Sequence, residues 1–100
     1  MSLESIIQEE ARLIILRELH AQPNRSATST AIRNHLLAAF MINKSREWVE
    51  DQFDWLAERG AVRVLPAGSV KIATLAPRGR EHLAHQAFIS GVLSPTEPVL

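Results

Sequence analysis

Two histidines near the carboxyl end of the chain have a spacing that metal ligands can have. His82 and His85 are three residues apart, which places both on one side of a helix, and Glu81 lies beside them. A zinc site needs three or four protein ligands, and the chain has no cysteine and no other cluster of ligating residues. The sequence therefore predicts no metal site and no cofactor.

A run of carboxylates between residues 47 and 58 is the densest group of possible acid–base residues. At helical spacing they share one exposed face, where a solvated surface is commoner than a catalytic pair. No nucleophile motif, phosphate-binding loop or dinucleotide fingerprint accompanies them. We therefore predict that the protein is not an enzyme and that this run forms an acidic surface. The run consists of Glu47, Glu50, Asp51, Asp54 and Glu58.

Basic residues form two blocks, one on each side of this acidic run. The formal net charge is zero, so overall charge does not argue for nucleic acid. Residues 25–46 and 59–80, however, contain basic side chains and no acidic ones. Such blocks can be solvated helix faces, or they can hold phosphates. The candidate DNA contacts are Arg25, Arg33, Lys44, Arg46, Arg63, Lys71, Arg78 and Arg80.

The stretch from residue 45 to residue 75 predicts a helix followed at once by a two-stranded hairpin. Ser45 is a suitable N-cap, and Gly60 ends the helical pattern where a left-handed residue is needed. The strands AVRVL and VKIATL are joined by a predicted turn at Leu65–Gly68, where Pro66 has a preset φ. In the second strand Val70, Ile72 and Thr74 share one face. The core face of the helix is predicted to consist of Val49, Gln52, Phe53 and Leu56.

Two helices precede this unit. The first runs from Leu3 to about Gln22 with Ser2 as its cap, and residues 13–16 are apolar on all sides of its axis. Either the last helix covers the second side, or that side is a dimer interface. The polar stretch SATST supplies caps for the second helix, which has an apolar stripe at helical spacing. A short turn at residues 43–45 then joins it to the third helix, as in a helix-turn-helix. That stripe is Ile32, Leu36, Leu37, Phe40 and Met41.

A fourth helix is predicted to begin at Pro77, a suitable N1 residue, although Ala76 cannot cap it with a side chain. Its stripe would be Leu83, Ala84, Ala87 and Phe88, with Gly91 as the stop. We predict one domain over residues 1–93, a flexible tail at 94–100, and a homodimer formed through the first and last helices.

These elements predict an α+β protein with a winged helix-turn-helix fold: three helices, a two-stranded β-hairpin wing and a C-terminal helix. The longest apolar run, Leu36–Ile42, is too short to span a membrane, and the N-terminal segment is acidic where a signal peptide is basic. The absence of cysteine fits a reducing compartment. We therefore expect a cytoplasmic protein without a membrane partner.

Three segments carry a family resemblance: MSLESIIQEEARLIILREL, SREWVEDQFDWLAERGAV and ATLAPRGREH. Together they are similar to small winged-helix proteins of Mu-like phages and prophages. The resemblance implies a DNA-binding transcriptional regulator in the cytoplasm of the bacterial host, an assignment that rests on fold alone.

The predicted third helix is in conflict with that implication. A recognition helix lies among phosphates and reads bases mainly with arginine, lysine, asparagine or glutamine, and its acidic face would be repelled there. Two functions stay open on the sequence. The first is binding of double-stranded DNA through the basic blocks, and the second is a protein-interaction module of the phage that uses the acidic helix.

Overall fold

A computed structural model describes residues 2–96 and confirms the predicted α+β class. These residues form four helices and one antiparallel sheet with the strand order β1-β3-β2, an arrangement compatible with a winged helix. The last four residues of the predicted tail, 97–100, lie outside the described residues. The elements are α1 (Leu3–Ala21), β1 (Ser26–Thr28), α2 (Ser29–Phe40), α3 (Arg46–Glu58), β2 (Val62–Ala67), β3 (Val70–Leu75) and α4 (Pro77–Leu83).

The helices begin where the sequence offers a cap. The Ser2 hydroxyl accepts the N–H of Ser5 at 3.1 Å, and the Ser5 hydroxyl accepts the N–H of Ser2 at 3.2 Å, so that the two residues form a reciprocal capping box. Ser45 accepts the N–H of Trp48 at 3.1 Å and begins α3 as predicted. Ala76 provides no side-chain cap for α4, also as predicted.

The predicted core face of α3 is confirmed. Val49, Phe53 and Leu56 are fully buried, and Gly60 adopts the left-handed conformation with φ +74°. In α2, by contrast, Leu37 and Met41 are exposed, so the buried stripe of that helix is narrower than predicted.

The apolar belt of α1, residues 13–16, is buried on all sides within a single chain. The sheet, α4 and the other two helices all contact α1. The belt is therefore covered without a second copy of the chain, which leaves the predicted homodimer without its main motivation.

The strand β1 was not predicted, because its three residues were interpreted only as possible helix caps. Ser26 lies opposite Thr74 and Thr28 lies opposite Ile72, so β1 completes the free edge of β3. Thr28 still caps α2, since its hydroxyl accepts the N–H of Ala31 at 3.1 Å. A short polar strand of this kind exists because a neighbouring strand offers unpaired backbone groups.

The predicted hairpin turn at Leu65–Gly68 is wrong. Ala67 pairs with Val70, so the turn is the two-residue connection Gly68–Ser69, in which Gly68 has φ +62°. Such short hairpin turns require positive φ at their first central residue. Pro66 belongs to β2, where its missing N–H is tolerated because β2 is an edge strand.

The two faces of the sheet differ in burial. Ala73 and Leu75 of β3 face the core, opposite Val64 and Val62 of β2. Residues 70, 72 and 74 share one face, as predicted, and this is the outer face of the sheet. There, the hydroxyls of Ser26 and Thr74 are hydrogen-bonded at 2.7 Å.

The last helix is shorter than predicted and ends at Leu83. His85 adopts φ +60°, so the chain leaves the helical path, and Phe88 is 63% exposed and is not part of a helical stripe. Hydrogen bonds of the His82 side chain hold the segment after α4 in this non-helical path. The fully buried His82 ring accepts the N–H of Ile89 on Nδ1 at 3.1 Å, and in that tautomer Nε2 donates to the carbonyl of Leu93 at 2.9 Å.

A buried arginine joins three parts of the chain. The guanidinium of Arg12 donates from Nε to Gln52 Oε1 and from Nη1 to the carbonyl of Gly91, both at 2.9 Å, and lies 3.7 Å from the ring centre of Trp55. Gly91 has φ +95°, and a Cβ atom there would lie 2.6 Å from the Trp55 ring. Burial lowers the pKa of Arg12, with the nearby Arg59 as a second cause.

Substitution of the Phe53 side chain tests this core. Phe53→Ala removes a fully buried ring, and we expect the free energy of unfolding to fall by about 3–5 kcal/mol because of lost burial and a residual cavity. Urea unfolding monitored by circular dichroism measures this change. The matched control is Leu65→Ala, whose side chain is 64% exposed on β2 and which should change stability by less than about 0.5 kcal/mol. Equal losses in both variants would contradict the described packing.

Candidate functional site

The exposed face of α3 is the main candidate surface. The N-cap at Ser45 and the buried core face fix the rotation of the helix, so its carboxylates lie on the opposite side. Glu47, Asp51 and Glu58 are exposed to solvent. This face therefore presents negative charge, as the sequence predicted.

Glu50, the second carboxylate of the run, is bound within the chain. Its Oε2 accepts the hydroxyl of Ser29 at 2.7 Å and lies 3.5 Å from Nε of Arg46. Ser29 is fully buried, and its hydroxyl also accepts the N–H of Lys71 at 3.2 Å. Glu50 thus joins α3 to the start of α2 and to β3, and Arg46 is held beside the helix that carries it.

Asp54 is paired with the predicted DNA contact Lys71. The ammonium Nζ of Lys71 lies 2.9 Å and 3.2 Å from the two carboxylate oxygens of Asp54. This hydrogen bond is the largest cause of the raised pKa of Lys71, and the negative charges of Asp54, Glu50 and Asp51 act in the same direction. The wing lysine is therefore directed towards α3, where it neutralises Asp54.

Lys44 is held in the same way at the other end of α3. Its Nζ lies 2.8 Å from Glu4 Oε1, and the indole N–H of Trp48 donates to Glu4 Oε2 at 3.3 Å. The pKa of Glu4 is lowered, first by the hydrogen bond from Lys44, and the hydrogen bond from Trp48 adds to this effect. These contacts fasten the N-terminus of α1 to the start of α3.

Two further candidates bind backbone carbonyls. Arg25 donates from Nη1 to the carbonyls of His20 and Gln22 at 2.7 Å and 2.8 Å, and so caps the end of α1. Arg33 donates from Nε to the carbonyl of Lys44 at 3.2 Å. Both side chains keep their positive charge, but hydrogen bonds within the chain hold them in place.

Three of the eight candidates keep free guanidinium groups. Arg63 on β2 and Arg78 and Arg80 on α4 are exposed, and none of them forms an ion pair within the part of the chain that the structure describes. The structure therefore separates the predicted set into side chains engaged by the fold and three free arginines, all of which follow α3 in the chain.

A cationic cleft that is not predicted from the sequence lies between α1 and α4. The cleft has a volume of about 420 Å³ and is lined by Arg17 and His20 of α1, by Arg80 of α4, and by His85. The spacing of Arg17 and His20, one helical turn apart, was the available signal. Residues 2–96 contain no cluster of three ligating side chains. That the protein binds no metal stays a prediction.

The chain is similar to a protein of Escherichia phage Mu described as uncharacterized protein gp26. The two are 36% identical over 93 residues, which cover 93% of this chain and 95% of the Mu protein. The chain therefore belongs to the gp26 family of Mu-like phages. No family model matches the sequence, and no solved structure matches it either. Within residues 2–96, no helix has both the length and the apolar character that crossing a membrane requires.

The pair formed by Lys44 and Glu4 can be tested by titration. In Lys44→Met the pKa of Glu4 should rise towards its ordinary value, because its largest stabilising partner is lost. NMR titration of the Glu4 carboxyl carbon measures this shift, and Lys44→Arg is the control that keeps the charge.

The lowered pKa of Glu4 also determines how the stability of the protein changes with pH. The pKa of Glu4 is lower in the folded state than in the unfolded state, so the pair stabilises the protein above the unfolded-state pKa and this contribution is lost as the pH falls. Lys44→Met should therefore lose part of the acid dependence of stability. An unchanged Glu4 pKa in that variant would show that Lys44 is free to bind a phosphate.

Proposed function

We propose that this member of the gp26 family is a non-enzymatic phage protein with a winged helix-turn-helix architecture, and that the acidic face of α3 binds a basic surface of another phage protein. The observation that carries this proposal is the exposure of Glu47, Asp51 and Glu58 on a helix that has no free basic side chain in its central turns. Complementary charge across an interface favours encounter and excludes like-charged partners.

The architecture supports the winged-helix assignment. The helices α2 and α3 are joined by a short connection, as in a helix-turn-helix, and the hairpin of β2 and β3 follows α3 as a wing. The strand β1 pairs with β3 and connects this unit to α1.

The charge pattern disfavours insertion of α3 into a major groove. Carboxylates at the exposed surface would face phosphates, and Lys44, Arg46 and Lys71 lie against acidic side chains of their own chain. To bind a phosphate, these side chains would have to leave their carboxylates. Each carboxylate left in this way would then be an unpaired negative charge near the nucleic acid.

DNA binding by a transcriptional regulator is the second candidate function, and one observation supports it. Arg63, Arg78 and Arg80 are exposed and have no ion-pair partner within residues 2–96. Arginines of the wing and of the following helix could hold phosphates while α3 stays outside the groove. Contacts of this kind position a protein on DNA without reading its sequence.

Binding to a random duplex at low and moderate salt separates the two functions. The protein-interaction proposal predicts little binding even at low salt, as measured by fluorescence anisotropy. DNA binding predicts a slope of log K against log salt of about −0.9 for each phosphate neutralised. In that case Arg63→Gln/Arg78→Gln should weaken binding and flatten the slope on every sequence tested. Tight, salt-dependent binding that this variant loses would overturn the primary proposal.

The acidic face is tested by neutral substitutions that leave the internal contacts intact. Asp51→Asn/Glu58→Gln removes two exposed charges but leaves Glu50 and Asp54 bound to their partners. Copurification from infected cells should then lose a basic phage protein that the wild-type protein retains. The control Glu10→Gln/Glu81→Gln removes two charges outside α3 and should retain that partner. Equal retention by all three proteins would contradict the role of α3.

The homodimer through the first and last helices stays a prediction, and exposed apolar side chains outside the buried belt support it. Leu3 and Ile6 of α1 are 72% and 45% exposed, and Phe88, which follows α4, is also exposed. Sedimentation equilibrium at micromolar concentration should show a dimer that Ile6→Glu/Phe88→Glu dissociates. A wild-type monomer under these conditions would contradict the prediction.

A further inference from the structure

We propose that the cleft between α1 and α4 binds the phosphate group of a nucleotide or of a nucleic acid. The cleft combines four cationic or protonatable side chains, those of Arg17, His20, Arg80 and His85, in a concavity of about 420 Å³. Clefts of roughly 300–1,000 Å³ are typical of small-molecule sites. The site lies apart from the acidic face of α3, so it goes beyond the function proposed above.

The fold holds the cationic groups in fixed places. Arg17 donates from Nη2 to the carbonyl of Pro95 at 2.8 Å, and both residues line the cleft. His20 is one helical turn further along α1, and its own carbonyl is occupied by Arg25. His85 is brought to the cleft by its left-handed backbone, which turns the chain directly after α4.

Among residues 2–96, the charged side chains that line the cleft have one sign. None of its four cationic or protonatable side chains forms an ion pair with a carboxylate in residues 2–96. Two guanidinium groups that line one cleft repel each other when it is empty, and a bound anion replaces this repulsion by two attractive interactions. Lys44 and Lys71, by contrast, each have a carboxylate partner in the chain.

The lining favours a phosphate over a small halide-like anion. A guanidinium presents paired N–H donors that match two oxygens of a phosphate, and the cleft contains two of them. Leu83, Ala84 and Pro95 supply an apolar wall on which a sugar or base can rest. Both neighbouring helices end near the cleft, so their dipoles oppose an anion, and the affinity must come from the side chains.

Titration of the full-length protein at constant ionic strength tests the proposal. The probes are pyrophosphate, a nucleoside triphosphate and a short random duplex, followed by amide chemical shifts in NMR. Shifts should concentrate at residues 17–20 and 80–85. Arg80 makes no ion pair within the described residues, so Arg80→Gln should keep the fold and weaken binding about tenfold, the effect of losing one charged hydrogen bond.

Further variants distinguish a built site from general attraction. Arg80→Lys should recover only part of the affinity, because lysine cannot bind two oxygens in a fork. Arg59→Gln removes the same charge at the end of α3, outside the cleft, and should bind like the wild-type protein. Binding of the triphosphate alone identifies a nucleotide, and binding of the duplex with the same shifts identifies a nucleic-acid backbone; both support the site. Absence of binding by all probes, or equal weakening in Arg59→Gln and Arg80→Gln, would overturn it.

Discussion

The position of α3 depends on a buried positive charge that forms no ion pair with a carboxylate of residues 2–96. Arg12 is 8% exposed, and its guanidinium is held by an amide oxygen, a backbone carbonyl and the face of Trp55. Arg59 lies 3.6 Å from the same ring centre, so the two guanidiniums must occupy opposite faces of the indole. Arg12 joins α1, α3 and the segment after α4, and it acts together with the buried core face of α3 to keep the acidic face outward.

Local signals in the sequence were sufficient for those parts of the fold that are decided locally. Ser45, Gly60 and the spacing that includes Phe53 identify α3, because capping and helical periodicity act within a few residues. The strand β1 and the end of α4 depend on distant partners. The first exists because β3 offers an edge, and the second is determined by the buried ring of His82, whose partners are backbone groups beyond the helix. Neither partner can be identified from nearby residues.

The candidate site shows the same division. Residue type correctly identified the basic and acidic side chains, but it could not show which of them neutralise each other. Lys44 and Glu4 are 40 positions apart, and Lys71 and Asp54 are 17 positions apart, so these pairs exist only in the folded chain. The cationic cleft was missed for the same reason, since Arg17 and Arg80 belong to opposite ends of the sequence. Charge blocks along a chain therefore predict surfaces poorly when helices from both ends pack together.

The two edges of the sheet determine how the protein can be recognised. One edge is a strand of only three residues, and the other contains Pro66, which has no N–H to offer. Proteins commonly protect exposed edges by such devices, which prevent an extended chain from adding a further strand. Recognition through backbone pairing, as in β-augmentation, is thereby discouraged. Any partner would then be selected by side-chain charge and shape, so that surface substitutions could change it without altering the backbone of this fold.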